Sequence, residues 1–198
     1  MTKTRALAFA AVVLLGACNA HPLLQIAASD YAPIRLGSRW DYKKPDGSVS
    51  VARQVLGAGP WMGKQAFTLQ TKVNALPATL DHVAVEHGMM TLWDSTLGWT
   101  LWRQVPYVTG NKWDLATGNP NLTQIQFVDG TEKVAVPAGT FDSCFKLRTK
   151  TLTYSGGVTS TTQSYIWSAP GVGDVQYASE DVNGNVTVDL QLVGYSIP

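Results

Sequence analysis

The side chains of this chain that could do chemistry are few and scattered. The histidines His82 and His87 stand five apart, so on one continuous strand they face opposite sides of the sheet, and no metal site is expected from them. Asp81, Glu86 and Asp94 could serve as a carboxylate pair for acid–base work, but nothing in their spacing places them together. No Gly-x-Ser-x-Gly elbow, His-Glu-x-x-His pair or phosphate-binding glycine loop is present. The reading is therefore of no catalytic residue, no metal and no cofactor. Lys146, Arg148 and Lys150 alternate as a solvated strand face, with Cys144 at its start as an inert, partly covered thiol. One cluster could make a ligand surface: Trp93, Trp99 and Trp102, since tryptophan packs against lipid tails or sugar faces. Core packing is the competing reading of the same three rings.

The remaining thiol, Cys18, has a distinctive setting. Lys3 and Arg5 precede an apolar run from Ala6 to Leu15, then Gly16, Ala17 and Cys18. That order is the order of a secretory signal, and the run is too short for the ~20 residues of a spanning helix. Leu15-Gly16-Ala17-Cys18 resembles the lipobox of bacterial lipoproteins, in which the cysteine receives lipid. The resemblance implies removal of residues 1–17 and an acylated Cys18 as the new first residue. One acyl chain holds a protein only marginally, whereas two or more anchor it stably. Asn19 in place of aspartate implies the outer membrane, facing the periplasm. The expected localisation is thus exported and lipid-anchored in the cell envelope, with the membrane as partner through the lipid.

The chain has 198 residues and a formal charge of +1. Losing Lys3 and Arg5 with the signal leaves 13 basic against 14 acidic residues, a charge of −1. Such a balance offers no footprint for nucleic acid and no polybasic membrane patch. With Cys18 lipidated, Cys144 has no partner for a disulfide, so the domain must rely on packing. Seven tryptophans among abundant Val, Thr and Gly suit a β-rich core.

The patterning agrees. Residues 18–30 read as the lipidated N-terminus and tether, and residues 31–198 as one β domain. Val49, Val51 and Val55 alternate, as do Phe67, Leu69, Thr71 and Val73, and later Val186, Val188, Leu190 and Leu192. Pro45-Asp46-Gly47, Asp129-Gly130, Ser155-Gly156-Gly157 and Asn183-Gly184 supply turns. No long stretch after the signal carries a helical apolar period. The expected fold is all-β, a single curved antiparallel sheet or half-barrel with little helix.

Two patterns recur. Pro33-x-x-x-Gly37-x-x-Trp40-Asp41 returns as Pro106-x-x-x-Gly110-x-x-Trp113-Asp114, shifted by 73. Phe67-x-Leu69-x-Thr71-Lys72 returns as Phe145-x-Leu147-x-Thr149-Lys150, shifted by 78. A duplication into two similar β units, approximately 31–105 and 106–198, accounts for both. In each, glycine should occupy a bend, tryptophan should be buried, and the Phe/Leu pair should point inward.

The Pro33 to Tyr42 entry, the Val136-Pro137-Ala138-Gly139-Thr140-Phe141 segment and the Pro170-Gly171-Val172-Gly173 turn resemble an uncharacterised family of bacterial lipoproteins and secreted proteins. A more distant likeness is to LolA/LolB-type half-barrels, which bind acyl chains in a curved sheet. These resemblances imply a non-catalytic envelope lipoprotein that binds or scaffolds other envelope components. They also leave open a carrier or sensor of a hydrophobic ligand such as lipid, and an envelope hydrolase whose site carries no recognisable motif. The partner would be a hydrophobic ligand or an envelope protein, with no nucleic acid.

Overall fold

A computed structural model describes residues 31–198. The signal, Cys18 and the tether to residue 30 lie outside the described residues. Among the described residues there is no helix, and twelve strands follow one another: β1 (Arg39–Lys43), β2 (Ser50–Trp61), β3 (Lys64–Val73), β4 (Thr79–Glu86), β5 (Met89–Asp94), β6 (Gly98–Gln104), β7 (Lys112–Leu115), β8 (Leu122–Val136), β9 (Gly139–Ser155), β10 (Val158–Ala169), β11 (Gly173–Glu180) and β12 (Val186–Ser196). All belong to one antiparallel sheet in the order β6-β5-β4-β3-β2-β1-β12-β11-β10-β9-β8-β7. The sheet curls until β6 and β7 lie alongside each other, giving a nearly closed barrel. No ladder joins these two edge strands among the described residues. Each is short, which limits the row of unpaired backbone groups an edge presents.

The order has a simple reading. β1 to β6 form one meander and β7 to β12 another, and the two join where β1 pairs with β12. The bends that lead into β1 and β7 match bond for bond. Gly37 N donates to Val55 O at 3.0 Å, and Gly110 N to Val128 O at 2.9 Å. Ser38 N donates to Arg35 O and Asn111 N to Val108 O, both at 3.0 Å; Val55 N donates to Ser38 O and Val128 N to Asn111 O, both at 2.9 Å. Gly37 and Gly110 have φ of 85° and 89°, where a Cβ would be strained. A bulge follows in each unit, between Val55 and Gly57 on β2 and between Val128 and Gly130 on β8. Trp40 and Trp113, each three residues beyond its glycine, are 6% and 7% exposed.

The first lead-in segment crosses over. Pro33 of the first unit packs on Gly173 of the second, where an added Cβ would sit 3.3 Å from the proline ring. Val105, the last residue of the first unit, continues the pairing of β6 with β5 beyond Gln104 and Met89, and lies so close to Gly88 that a Cβ there would run into its carbonyl oxygen. Val105 N also donates to Gly88 O at 2.6 Å.

The interior is filled by Val55, Leu69, Val83, Met90, Val128, Leu147, Val175 and Leu192, all buried. Each buried aliphatic side chain of this kind contributes about 1.5–3 kcal/mol relative to exposure. Phe67, Leu69 and Leu147 are buried, whereas Phe145 is only partly so, its ring edge-on to Tyr31 and Tyr107.

Candidate functional site

Inside the barrel the apolar lining gives way to a polar cluster that the alternation already contained. Val51 and Val55 of β2 are buried, and Arg53 stands between them on the same face. Register places Arg103 of β6 opposite Met90 of β5, and Thr91 opposite Leu101, so Trp102 is the extra residue of a bulge. A second bulge on β11 sets Asp174 opposite Ser168 and leaves Val175 extra. These irregularities aim Arg103 and Asp174 at each other.

The pair is two-pronged: Arg103 Nη1 donates to Asp174 Oδ1 at 2.8 Å and Nη2 to Oδ2 at 2.6 Å, with side chains only 4% and 6% exposed. Ser168 Oγ donates to Oδ1 at 2.6 Å and the Tyr177 hydroxyl to Oδ2 at 2.5 Å. Arg103 Nη1 also donates to the Tyr107 hydroxyl at 3.3 Å, and the Tyr42 hydroxyl to the Asp174 carbonyl at 3.0 Å. Arg53 Nη1 donates to the Tyr177 hydroxyl at 2.6 Å, its guanidinium lying over the rings of Tyr42 and Tyr177. Beside the two arginines is a recess of about 40 Å³, walled by Trp40, Tyr42, Leu69, Met90 and Trp102 and bordered by Ala32 to Ile34.

The electrostatics decide what this cluster can do. Burial pushes the Asp174 carboxyl up, but the Arg103 guanidinium and the hydroxyls of Ser168 and Tyr177 more than reverse it, leaving it at about 2. A carboxylate held that firmly as an anion is a poor general base. Burial also pushes the Tyr42, Tyr107 and Tyr177 hydroxyls up, so none is poised to give up its proton. Ser168 faces an acceptor rather than a base, and no histidine is among these partners. The arrangement holds charge and fixes geometry; it does not supply a nucleophile.

The tryptophans proposed from the sequence part company. Trp93 and Trp99 meet edge-to-face at 5.5 Å on the outer side of β5 and β6. Trp102 lines the interior recess instead, with the Arg103 guanidinium 4.4 Å over its ring. The outer pair continues into a wider surface. Trp99 Nε1 donates to Met62 O at 3.0 Å, and Lys64 lies over the Trp99 ring while pairing with Glu86 at 2.8 Å. Trp61 stacks on His82 at 3.8 Å, beside an open groove of about 210 Å³ floored by Gly57, Gly59 and Ala66.

Cys144 is fully buried, and burial pushes its thiol up to about 11. The Lys146, Arg148 and Lys150 stripe is less solvated than expected. Lys146 lies over the rings of Tyr165 and Trp167, and Arg148 lies over Phe127 while its Nε pairs with Asp129 at 2.9 Å. His82 and His87 do not converge, and no group of three His, Cys, Asp or Glu side chains could hold a metal among the described residues.

Against known proteins, residues 121–192 match a family model described as DUF3108-like, a span from β8 into β12. Two solved structures share the fold. One is a candidate exported protein with a YmcC-like fold from Bacteroides fragilis, at TM-score 0.57 and 16% identity. The other is a candidate lipoprotein from Parabacteroides distasonis, at TM-score 0.58 and 18% identity. Each match covers 85% of this chain and 99% of the other. At such identities the likeness speaks for the fold. No curated protein matches the chain.

The sequence reading missed Arg53, Arg103 and Asp174. Arg53 carried a signal, a charge between valines that alternate toward the core. Arg103 and Asp174 did not, because bulges set their facing.

Proposed function

We propose that this chain is a cell-envelope lipoprotein, anchored through an acylated Cys18 at the outer membrane, whose barrel is a non-catalytic binding or scaffolding module. The observation that carries the non-catalytic part is the Asp174 cluster, where a carboxylate pinned by Arg103 leaves no base for Ser168 or the tyrosines. Export and lipidation are supported by Leu15-Gly16-Ala17-Cys18 and by the two structural relatives, one a candidate exported protein and one a candidate lipoprotein. A lipid carried inside the barrel is disfavoured: the recess of about 40 Å³ admits roughly three water-sized spheres, far too few for an acyl chain. The surface offered for binding is the outer one around Trp61, Trp93 and Trp99, where Trp61 stacked on His82 flanks an open groove and Trp93 meets Trp99 edge-to-face.

The test is fractionation of the full chain beside Cys18→Ser, with mass measurement of the N-terminal peptide. The expected result is membrane-bound, diacylated protein for the parent and soluble, unmodified protein for the variant. Identical partitioning would refute the anchor. For the module, a saturable ligand whose binding is lost in Trp61→Ala together with Trp99→Ala is expected; turnover of any envelope ester or amide would refute a non-catalytic role.

A further inference from the structure

Among the described residues the charges inside the barrel do not balance. Arg53 and Arg103 face one carboxylate, and Asp174 is already taken up by both Arg103 prongs, by Ser168 and by Tyr177. Arg53 spends Nη1 on the Tyr177 hydroxyl, which itself donates to Asp174, and it otherwise lies over ring faces. The Nε atoms of both arginines are buried and find no acceptor among the described residues. An isolated buried charge and unmet donors are each costly, and a guanidinium's fork of donors is built for an anion. The recess of about 40 Å³ lies against both arginines.

We infer that the recess between Arg53 and Arg103 is a binding site for a compact monovalent anion, a halide or the carboxylate of a one- or two-carbon acid. Its volume, roughly three water-sized spheres, sets the size. The single surplus positive charge sets the valence, because a divalent anion would leave the interior negative. The walls set the shape: Leu69, Met90 and Trp102 offer apolar surface, and the Asp174 carboxylate that also lines the recess is bonded to Arg103, Ser168 and Tyr177, so the anion is held by the guanidiniums and a larger polar ligand would lose its hydration without replacement. Ala32 to Ile34 border the recess. Bound there, the anion neutralises Arg53 and ties β2 to β6 from within.

The experiment is thermal unfolding of the purified full chain at constant ionic strength, exchanging gluconate, too large for the recess, for bromide or formate. The expected result is a rise in Tm that saturates with either anion, with no further rise when the second is added to a saturated sample. Arg53→Gln should remove the saturable part. A rise that stays linear, or that is the same in Arg53→Gln as in the parent, overturns the site. Should Arg53→Gln not fold, bromide anomalous scattering from crystals of the parent decides. A peak between the two guanidiniums supports the inference, and peaks confined to the outer surface overturn it.

Discussion

Arg103 on the edge strand β6 and Asp174 on β11 meet across the barrel interior, two parallel N–H···O bonds of 2.8 and 2.6 Å joining strands that are far apart in the sheet order. The edge that no ladder secures is thus secured from inside. Removing one partner leaves the other as a buried, unpaired charge. Asp174→Asn or Arg103→Met should each destabilise the fold by about 3–5 kcal/mol, measured by urea unfolding, and replacing both with apolar residues should cost less than the two singles combined.

The same carboxylate sets the acid limit. Its folded pKa of about 2 lies below its ordinary value of 3.8, so Asp174 contributes stability that is fully present above pH 4 and is lost as the pH falls toward 2. The contribution is of the order of 2 kcal/mol at neutral pH. Unfolding curves from pH 5 to pH 2 should fall more steeply for the parent than for Asp174→Asn.

Cys144 sets a limit at the other end. Burial raises its thiol from 9.0 to about 11, so the folded chain keeps a proton that the unfolded chain releases. Stability from this group is present below pH 9 and declines as the pH rises toward 11. In Cys18→Ser, the Cys144 thiol should react with a disulfide reagent only after denaturant is added; rapid reaction of the folded protein would contradict its burial.

Trp40 and Trp113 begin their strands from matching bends but end differently. Trp40 Nε1 donates to Val172 O at 2.6 Å, whereas Trp113 Nε1 is buried without an acceptor among the described residues. Truncation of either to alanine should cost about 3–5 kcal/mol. Trp40→Phe should lose about 1 kcal/mol more than Trp113→Phe, which removes a donor that already had no partner. Equal losses would place the two indoles in equivalent polar settings.

Gly37 and Gly110 offer a test of the proposed duplication. Both have positive φ, and an added Cβ meets only the Pro198 ring at 3.4 Å in one case and open space in the other. Alanine at either site should therefore cost a similar amount, about 1–2 kcal/mol from backbone strain alone. A large inequality would argue that the two bends carry different loads.

The all-β architecture was legible because strand alternation and turn residues are local: Asp46-Gly47 and Asn183-Gly184 announce their turns without help from the rest of the chain. The closure was not legible. Whether a curved sheet stops at half a barrel depends on how β6 meets β7 and how β1 meets β12, contacts between residues remote in sequence. Trp93 and Trp99 meet because β5 and β6 form one hairpin. Trp102, close to them in sequence, is turned to the interior by a single bulge. The Lys146 and Arg148 face was read as solvated because the rings of Phe127, Tyr165 and Trp167 that cover it come from neighbouring strands.

One ladder in this sheet is unlike the others. Every pairing links strands adjacent in sequence except β1 with β12, where Arg39 sits opposite Ser196 and Arg35 reaches the Pro198 carbonyl at 3.0 Å. That seam alone demands closing a loop as long as the domain, the kind of contact that slows folding most. A circular permutant that links the C-terminal residue to the start of the domain and opens the chain between β6 and β7 would turn the barrel into an uninterrupted succession of hairpins. It should keep the native spectrum yet fold faster than the parent, with the late-forming seam moved into the earliest stage of collapse.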